Sequence, residues 1–177
     1  MGINVYIINL LLFNIGWLCC VLGGSVVALP VTIVASWIHF SFVSAQRAEV
    51  ALLVMVTGLG FVIDSLLFSA GILQYENIIS PLSQVLVLPP LWMVCLWWLF
   101  ATTLCHSLHW LQDKAWLASV LGALSGAGSY YAGTRLSDIA LGASTAQALL
   151  VLALVWALVT PLLLYIVRSW RGKLAYA

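Results

Sequence analysis

Six long stretches of the sequence are almost wholly apolar, and each is long enough to cross a membrane as a helix. A crossing helix needs about 20 mostly apolar residues. The stretches run approximately over residues 3–22, 26–43, 50–73, 89–111, 115–134 and 145–167. They are continuous rather than alternating, which favours helices over a β-barrel. The sequence therefore predicts an all-α, polytopic membrane bundle of six transmembrane helices, with residues 1–177 forming a single integral-membrane domain and no soluble domain.

Composition supports this class and excludes several others. Charged residues make up 6% of the chain and mean hydropathy is +1.16, whereas a soluble domain is about one quarter charged. Intrinsic disorder is excluded because the chain has so much apolar surface to bury. A net charge of +1 cannot supply the basic face that nucleic-acid binding requires. The expected partners are therefore membrane lipids and not nucleic acid.

Basic residues predict the orientation. With six spans both termini lie on one side, and the Lys and Arg bias of short loops places that side in the cytoplasm. The first stretch lacks a positive leading region, so we interpret it as a transmembrane helix and not a cleaved signal. Only Arg135 falls on the opposite side; the side of the termini holds Arg47, Lys114, Arg168, Arg171 and Lys173.

Asp64 is the charged residue that lies deep inside a predicted span. Ionisable groups in membrane helices usually face the bundle interior or a water-filled cavity. Gly60 lies on the same helical face, so a neighbouring helix can approach closely there. By depth, Asn14 is the expected first-span partner of Asp64. Two interpretations stay open: a hydrogen bond that holds helices together, and a carboxyl that handles a proton or substrate.

Other polar and small residues mark the interior of the predicted bundle. Polar side chains within the spans are expected to share this interior with Asp64: Asn9, Asn14, Thr102, Thr103 and Tyr130. Small residues support close helix contact, and Gly122 and Gly126 form a GxxxG pair. The glycines expected at helix contacts are Gly16, Gly60, Gly122, Gly126 and Gly133.

Three histidines, His39, His106 and His109, are predicted to lie near the inner membrane face. Such a group could bind a metal ion or haem. The alternative is that they form hydrogen bonds with neighbouring helices or lipid headgroups. His106 and His109 lack the intervening carboxylate of an HExxH metal motif, so the sequence predicts no cofactor and no catalytic residue.

Four segments resemble one bacterial family of inner-membrane proteins, catalogued as domain of unknown function 2878. They are NLLLFNIGWLCCVLGG at 9–24, FVIDSLLFSAGIL at 61–73, PLWMVCLWWLFATTLCHSLHWL at 90–111 and LGALSGAGSYYAG at 121–133. The resemblance covers nearly the whole chain and implies a class without an established activity. The family pattern implies that the positions to test first for function are Asn14, Asp64, Trp92, Thr102, Thr103 and Tyr130.

The resemblance also implies a role beside lipid chemistry. Genes of this family often neighbour those of cyclopropane-fatty-acid-synthase-like methyltransferases. The expected function is therefore a non-catalytic accessory or lipid-binding module of the bacterial inner membrane. It would be linked to fatty-acid modification and would work with a soluble or peripheral lipid-modifying enzyme. Two alternatives stay open: a small transporter or substrate-capture subunit, and a haem- or metal-binding membrane oxidoreductase.

Overall fold

The computed structural model describes residues 3–44, 48–76, 88–142 and 144–174. These residues are mainly helical, in agreement with the predicted fold class. The helices and strands are α1 (Ile3–Ile38), α2 (Ala48–Ser69), β1 (Leu73–Tyr75), α3 (Leu91–Leu104), α4 (Ala115–Leu136), β2 (Ile139–Leu141) and α5 (Thr145–Leu174). A π-helical turn, His39–Val43, follows α1, and a 3₁₀ turn, His109–Leu111, precedes α4.

The first two predicted spans form one bent element. Gly24 has φ 57° and ψ −161° inside α1, and glycine adopts this left-handed region without a steric penalty. The chain reverses there, because Asn9 and the π-turn residue His39 both contact the segment 102–107. A straight helix would separate them by about 45 Å. Helix α1 is therefore a hairpin, and both of its arms pack on α3.

Within the described part of the chain, three helical elements are long and apolar enough to cross a membrane. They are Val5–Val43, which contains the hairpin, Glu49–Ser69 and Thr145–Trp170. Helix α3 is apolar but has only 14 residues. Helix α4 has 22 residues, but its glycines, serines and tyrosines lower its hydropathy.

Helix α3 ends at Leu104, seven residues before the predicted end of the fourth span. The hydroxyls of Thr102 and Thr103 donate to carbonyl oxygens three residues back, a bond that competes with regular helix geometry. Beyond the last turn, side chains replace the lost helical partners. The Gln112 amide, for example, donates to the Leu104 carbonyl at 2.9 Å.

A short antiparallel sheet, which the sequence did not predict, joins two loops. Strand β1 follows α2 and strand β2 follows α4, with Leu73 opposite Leu141 and Tyr75 opposite Ile139. Two further backbone bonds extend the pairing, from Gly142 N to Ile72 O and from Glu76 N to Asp138 O. The third predicted span therefore ends at Ser69 and not at residue 73. Residues 77–87, which belong to the segment between the third and fourth predicted spans and are expected to form an interfacial loop, lie outside the described residues.

Candidate functional site

Asp64 occupies the centre of the bundle and accepts hydrogen bonds from two other helices. Its side chain is buried, with 1% of its surface exposed. The indole N–H of Trp97 on α3 donates to Oδ2 at 2.8 Å, and the Tyr130 hydroxyl on α4 donates to Oδ1. The structure thus brings together two of the predicted interior residues, Asp64 and Tyr130. It adds Trp97, which sequence reasoning left among the apolar aromatics.

Aromatic rings surround this carboxylate. Trp97 stacks on Trp156 of α5, with ring centroids 5.0 Å apart and planes 7° from parallel. Phe100 and Tyr130 meet Trp156 edge to face. The cluster joins α2, α3, α4 and α5 around one acidic group. A polar atom in a low-dielectric interior is costly unless it is hydrogen-bonded, and the two donors meet that need at Asp64.

Glycines let the large rings approach the neighbouring backbones. A Cβ at Gly60 would overlap the Trp97 ring, and one at Gly126 would overlap Trp156. A Cβ at Gly122 would lie 2.7 Å from the Trp156 carbonyl oxygen. On α1, a Cβ at Gly16 would lie 2.7 Å from a Leu99 methyl carbon.

Gly133 does not make the helix contact that the sequence analysis predicts for it. A Cβ there would meet no described atom within 4 Å, even though the residue is buried. Gly133 instead lines a cavity. Of the three glycines expected at contacts on α4, Gly122 and Gly126 meet Trp156 of α5, and Gly133 does not.

The cavity has a volume of about 490 Å³ and lies between α1, α3 and α4. Helix α1 packs mainly on α3, and α4 packs mainly on α5, so α1 and α4 touch little and leave a gap. The lining extends along α3 from Trp92 to Thr103, a length of about 17 Å, and continues to Ser107 and Leu108 in the turn that follows.

Most of the cavity wall is aliphatic or aromatic. The lining groups with polar side chains are Asn14, Asp64, Thr103, Ser107, Ser125, Ser129, Tyr130 and Thr134, together with the indoles of Trp17, Trp92, Trp97 and Trp156. Leu10, Asn14 and Ser125 are also exposed, so the cavity opens to the outside along α1 and α4.

The expected pairing of Asn14 with Asp64 is wrong. The Asn14 side-chain amide donates to Leu10 O within its own helix, at 2.7 Å. Asn14 and Asp64 both line the cavity. The hydrogen bonds to the Asp64 carboxylate come from Trp97 and Tyr130 instead. Arg135, which could have reached inward from the outer side, donates to the Tyr131 hydroxyl at 3.1 Å.

The Asn9 side chain on α1 bonds to both sides of the C-terminal end of α3, and it links two elements that are distant in sequence. Its amide nitrogen donates to Thr102 O at 3.1 Å, and its carbonyl oxygen accepts from the backbone and hydroxyl of Ser107 at 3.2 and 2.7 Å. Backbone groups at a helix end need such outside partners. Asn9 and Thr102 are buried in this contact, whereas Thr103 reaches the cavity.

A second buried polar cluster joins His39, His106 and Glu49. The Nε2 atoms of both histidines lie 3.1 Å from Glu49 Oε1, and His106 Nε2 is also 3.3 Å from Oε2. All three residues are at most 4% exposed. Their best ligand atoms lie within 4.8 Å of one another, a grouping that could hold a metal ion.

The sequence hypothesis named two of these three residues. His39 and His106 meet as predicted by depth, with ring centroids 5.0 Å apart. His109 is half-buried on the 3₁₀ turn and is not one of the three grouped residues. Glu49 is not among the predicted site residues, because it precedes the third predicted span, where a charge is ordinary. Glu49 is ten residues from His39 and 57 from His106 in sequence. Only the packing of α2 beside α3 buries it against both histidines.

Comparison with known families gives one match. The family described as "Protein of unknown function (DUF2878)" matches residues 6–162, which is most of the chain, so this protein belongs to it. No curated protein matches the chain at a significant level, and no solved structure does.

Proposed function

We propose that this DUF2878 protein is a multi-pass protein of the bacterial inner membrane that binds the acyl chain of a membrane lipid between α1 and α4. The observation that carries the proposal is the cavity of about 490 Å³. Its volume falls within the range of small-molecule sites, about 300–1,000 Å³, and its mostly apolar wall with a few placed polar groups is typical of them.

The shape of the cavity favours a chain-like ligand. Its lining follows α3 for about 17 Å, past Phe100, Leu96 and Met93. The exposed lining residues on α1 and α4 give a lateral entrance between helices. A lipid tail could enter through this gap from the bilayer without passing through water. The hydroxyls of Thr103 and Ser107 lie at one end, where they could accept hydrogen bonds from a headgroup.

In this proposal Asp64 is a positioning residue. It holds the Trp97 indole and the Tyr130 ring, and both rings line the cavity. Among the described lining residues, no histidine, cysteine or second carboxylate accompanies Asp64. That mostly apolar lining is typical of a binding site, and the proposal assigns Asp64 no acid-base step. We infer that any reaction on the bound chain belongs to a soluble or peripheral lipid-modifying enzyme.

Filling the cavity tests the proposal directly. The variant Gly133→Leu should place its side chain in the cavity without a clash, because a Cβ there meets no atom within 4 Å. Gly128→Leu is the matched control, since Gly128 is on the same helix, also has open space and does not line the cavity. Each protein is extracted in polymer-bounded nanodiscs, moved to mild detergent and assayed by mass spectrometry for retained lipid.

We expect the wild type and Gly128→Leu to retain about one lipid per chain and Gly133→Leu to lose it. Equal retention by the two variants would contradict the cavity site. Recovery of a polar metabolite in place of lipid would favour the transporter or substrate-capture alternative. Co-purification of a lipid-modifying enzyme with the wild type would support the proposed partnership.

We also propose six membrane crossings with both termini in the cytoplasm. The two arms of α1 and helices α2 to α5 provide six segments, and the hairpin at Gly24 supports the division of the first element. In a cysteine-free background, single cysteines at Asp113 and Ser137 are probed with an impermeant maleimide on intact spheroplasts. Only Ser137→Cys should react. Labelling at Asp113→Cys instead would reverse the orientation, and labelling at both would contradict the six-span topology.

A further inference from the structure

We propose that His39, Glu49 and His106 form a binding site for one divalent transition-metal ion, with Zn²⁺ the best match. The site lies at the end of the bundle where the π-turn after α1, the start of α2 and the turn after α3 meet. It is separate from the lipid cavity, whose lining contains none of the three residues. The inference does not depend on lipid binding.

The distances suit a small ion. Both histidine Nε2 atoms lie 3.1 Å from the same carboxylate oxygen. Zinc binds histidine nitrogen and carboxylate oxygen at about 2.0–2.2 Å in a tetrahedron, whose ligand atoms are therefore about 3.3 Å apart. To reach that geometry, the distance from each histidine Nε2 to Glu49 Oε1 needs to increase by only a few tenths of an ångström. Two histidines and one glutamate also form a known zinc ligand set that leaves a fourth position open.

Charge and burial favour a cation at this point. Glu49 is 2% exposed, and an ionised carboxylate in such surroundings is costly without compensation. Its described hydrogen-bond partners are His39, His106 and Ser44, none of which has a permanent positive charge. A divalent ion would supply the missing charge. Neutral imidazole and carboxylate are the protonation states that a metal selects.

Both histidines direct the same ring nitrogen, Nε2, at Glu49, which is the convergence that a shared ion requires. A histidine that joins helices can use both ring nitrogens, one as donor and the other as acceptor. Here the Nδ1 atoms of His39 and His106 are buried without a hydrogen-bond partner in the described residues, and both Nε2 atoms converge on Glu49. His39 also begins the π-turn, a rare geometry that is frequent at functional sites.

The geometry favours a single ion over haem. The two rings meet edge to face with centroids 5.0 Å apart, and the Glu49 carboxylate is within 3.1 Å of both Nε2 atoms. A porphyrin plane cannot fit between rings in that arrangement.

Metal titration of the full chain tests the site. The protein carries a purification tag without histidines, is treated with a chelator and is then titrated with ZnCl₂ alone or CoCl₂ alone. The readouts are bound zinc by mass spectrometry and the visible absorption of tetrahedral Co²⁺. The variants are Glu49→Gln, which keeps side-chain size and hydrogen bonding, and His106→Gln. The matched control is His109→Gln, which removes the histidine outside the cluster.

We expect about one zinc ion per wild-type chain, the tetrahedral cobalt spectrum and a rise in Tm with ZnCl₂ but not with MgCl₂. Affinity should fall about tenfold or more in Glu49→Gln and His106→Gln, since even outer-shell changes reach that scale. His109→Gln should match the wild type. If a variant fails to fold, the cobalt spectrum of the wild type and its Tm shift with ZnCl₂ still test whether the metal site exists. No zinc and no cobalt spectrum in the wild type would overturn the site, as would equal affinity in Glu49→Gln.

Discussion

The indole N–H of Trp97 donates a 2.8 Å hydrogen bond to Asp64 across two helices, 33 residues apart in sequence. The same ring packs on the backbone at Gly60 and stacks on Trp156 of α5. One bond therefore orients an aromatic group that forms both the bundle core and the cavity wall.

Loss of the carboxylate should destabilise the bundle. In Asp64→Ala the Trp97 N–H and the Tyr130 hydroxyl lose their buried acceptor, and we expect the free energy of unfolding to fall by about 1–3 kcal/mol. Asp64→Asn should lose less, because the amide oxygen still accepts one bond. Tm in detergent measures the effect. Ser65→Ala is the control, since the Ser65 hydroxyl donates to Phe61 O within its own helix; an equal loss of Tm in that variant would contradict the role assigned to Asp64.

Gly60 should tolerate no side chain. In Gly60→Ala the new methyl group overlaps the Trp97 ring, and overpacking of a well-packed site costs about 1–3 kcal/mol. Gly58→Ala, two residues earlier on the same helix, meets no atom within 4 Å. It should be neutral or up to about 1 kcal/mol stabilising, because alanine favours the helix. Chemical unfolding of both variants gives the comparison, and a neutral Gly60→Ala would show that α2 and α3 are not packed this closely.

Asn9 should matter more than Asn14, although both are amides on the same arm of α1. Asn9→Ala leaves Thr102 O and Ser107 N without their side-chain partner, and we expect a loss of about 1–3 kcal/mol. Asn14→Ala removes a bond to Leu10 O within one exposed turn and should change stability by less than about 0.5 kcal/mol. Parallel unfolding curves measure both, and the reverse order would refute the bridging role of Asn9.

The ion pair between Arg168 and Asp113 should contribute little. Its atoms lie 2.7 Å apart, but the two side chains are 62% and 74% exposed. Exposed pairs contribute about 0–1 kcal/mol, so Arg168→Gln should lower the free energy of unfolding by no more than that. A larger change in an unfolding titration would mean that the pair is screened from solvent, as in a headgroup layer.

Sequence patterns predicted some features of the site because those features are local. An aspartate within an unbroken apolar run has to face protein, so Asp64 could be selected before its neighbours were known. The break between the first two predicted spans, at residues 23–25, coincides with the bend at Gly24, because glycine is a local signal for a change in backbone direction. Residue depth placed His39 and His106 together. Depth alone could not distinguish His109 from them, because rotation about the helix axis decides which ring faces the interior.

The sequence by itself determined that the chain is mainly helical, with helices long and apolar enough to cross a membrane, since these properties depend on composition and run length. It also determined family membership. Only the tertiary structure decided that Asp64 meets Trp97 and Tyr130 and that Glu49 meets two histidines. It alone showed the gap between α1 and α4. These features depend on the rotation, register and pairing of helices, and their energies come from contacts between residues far apart in sequence.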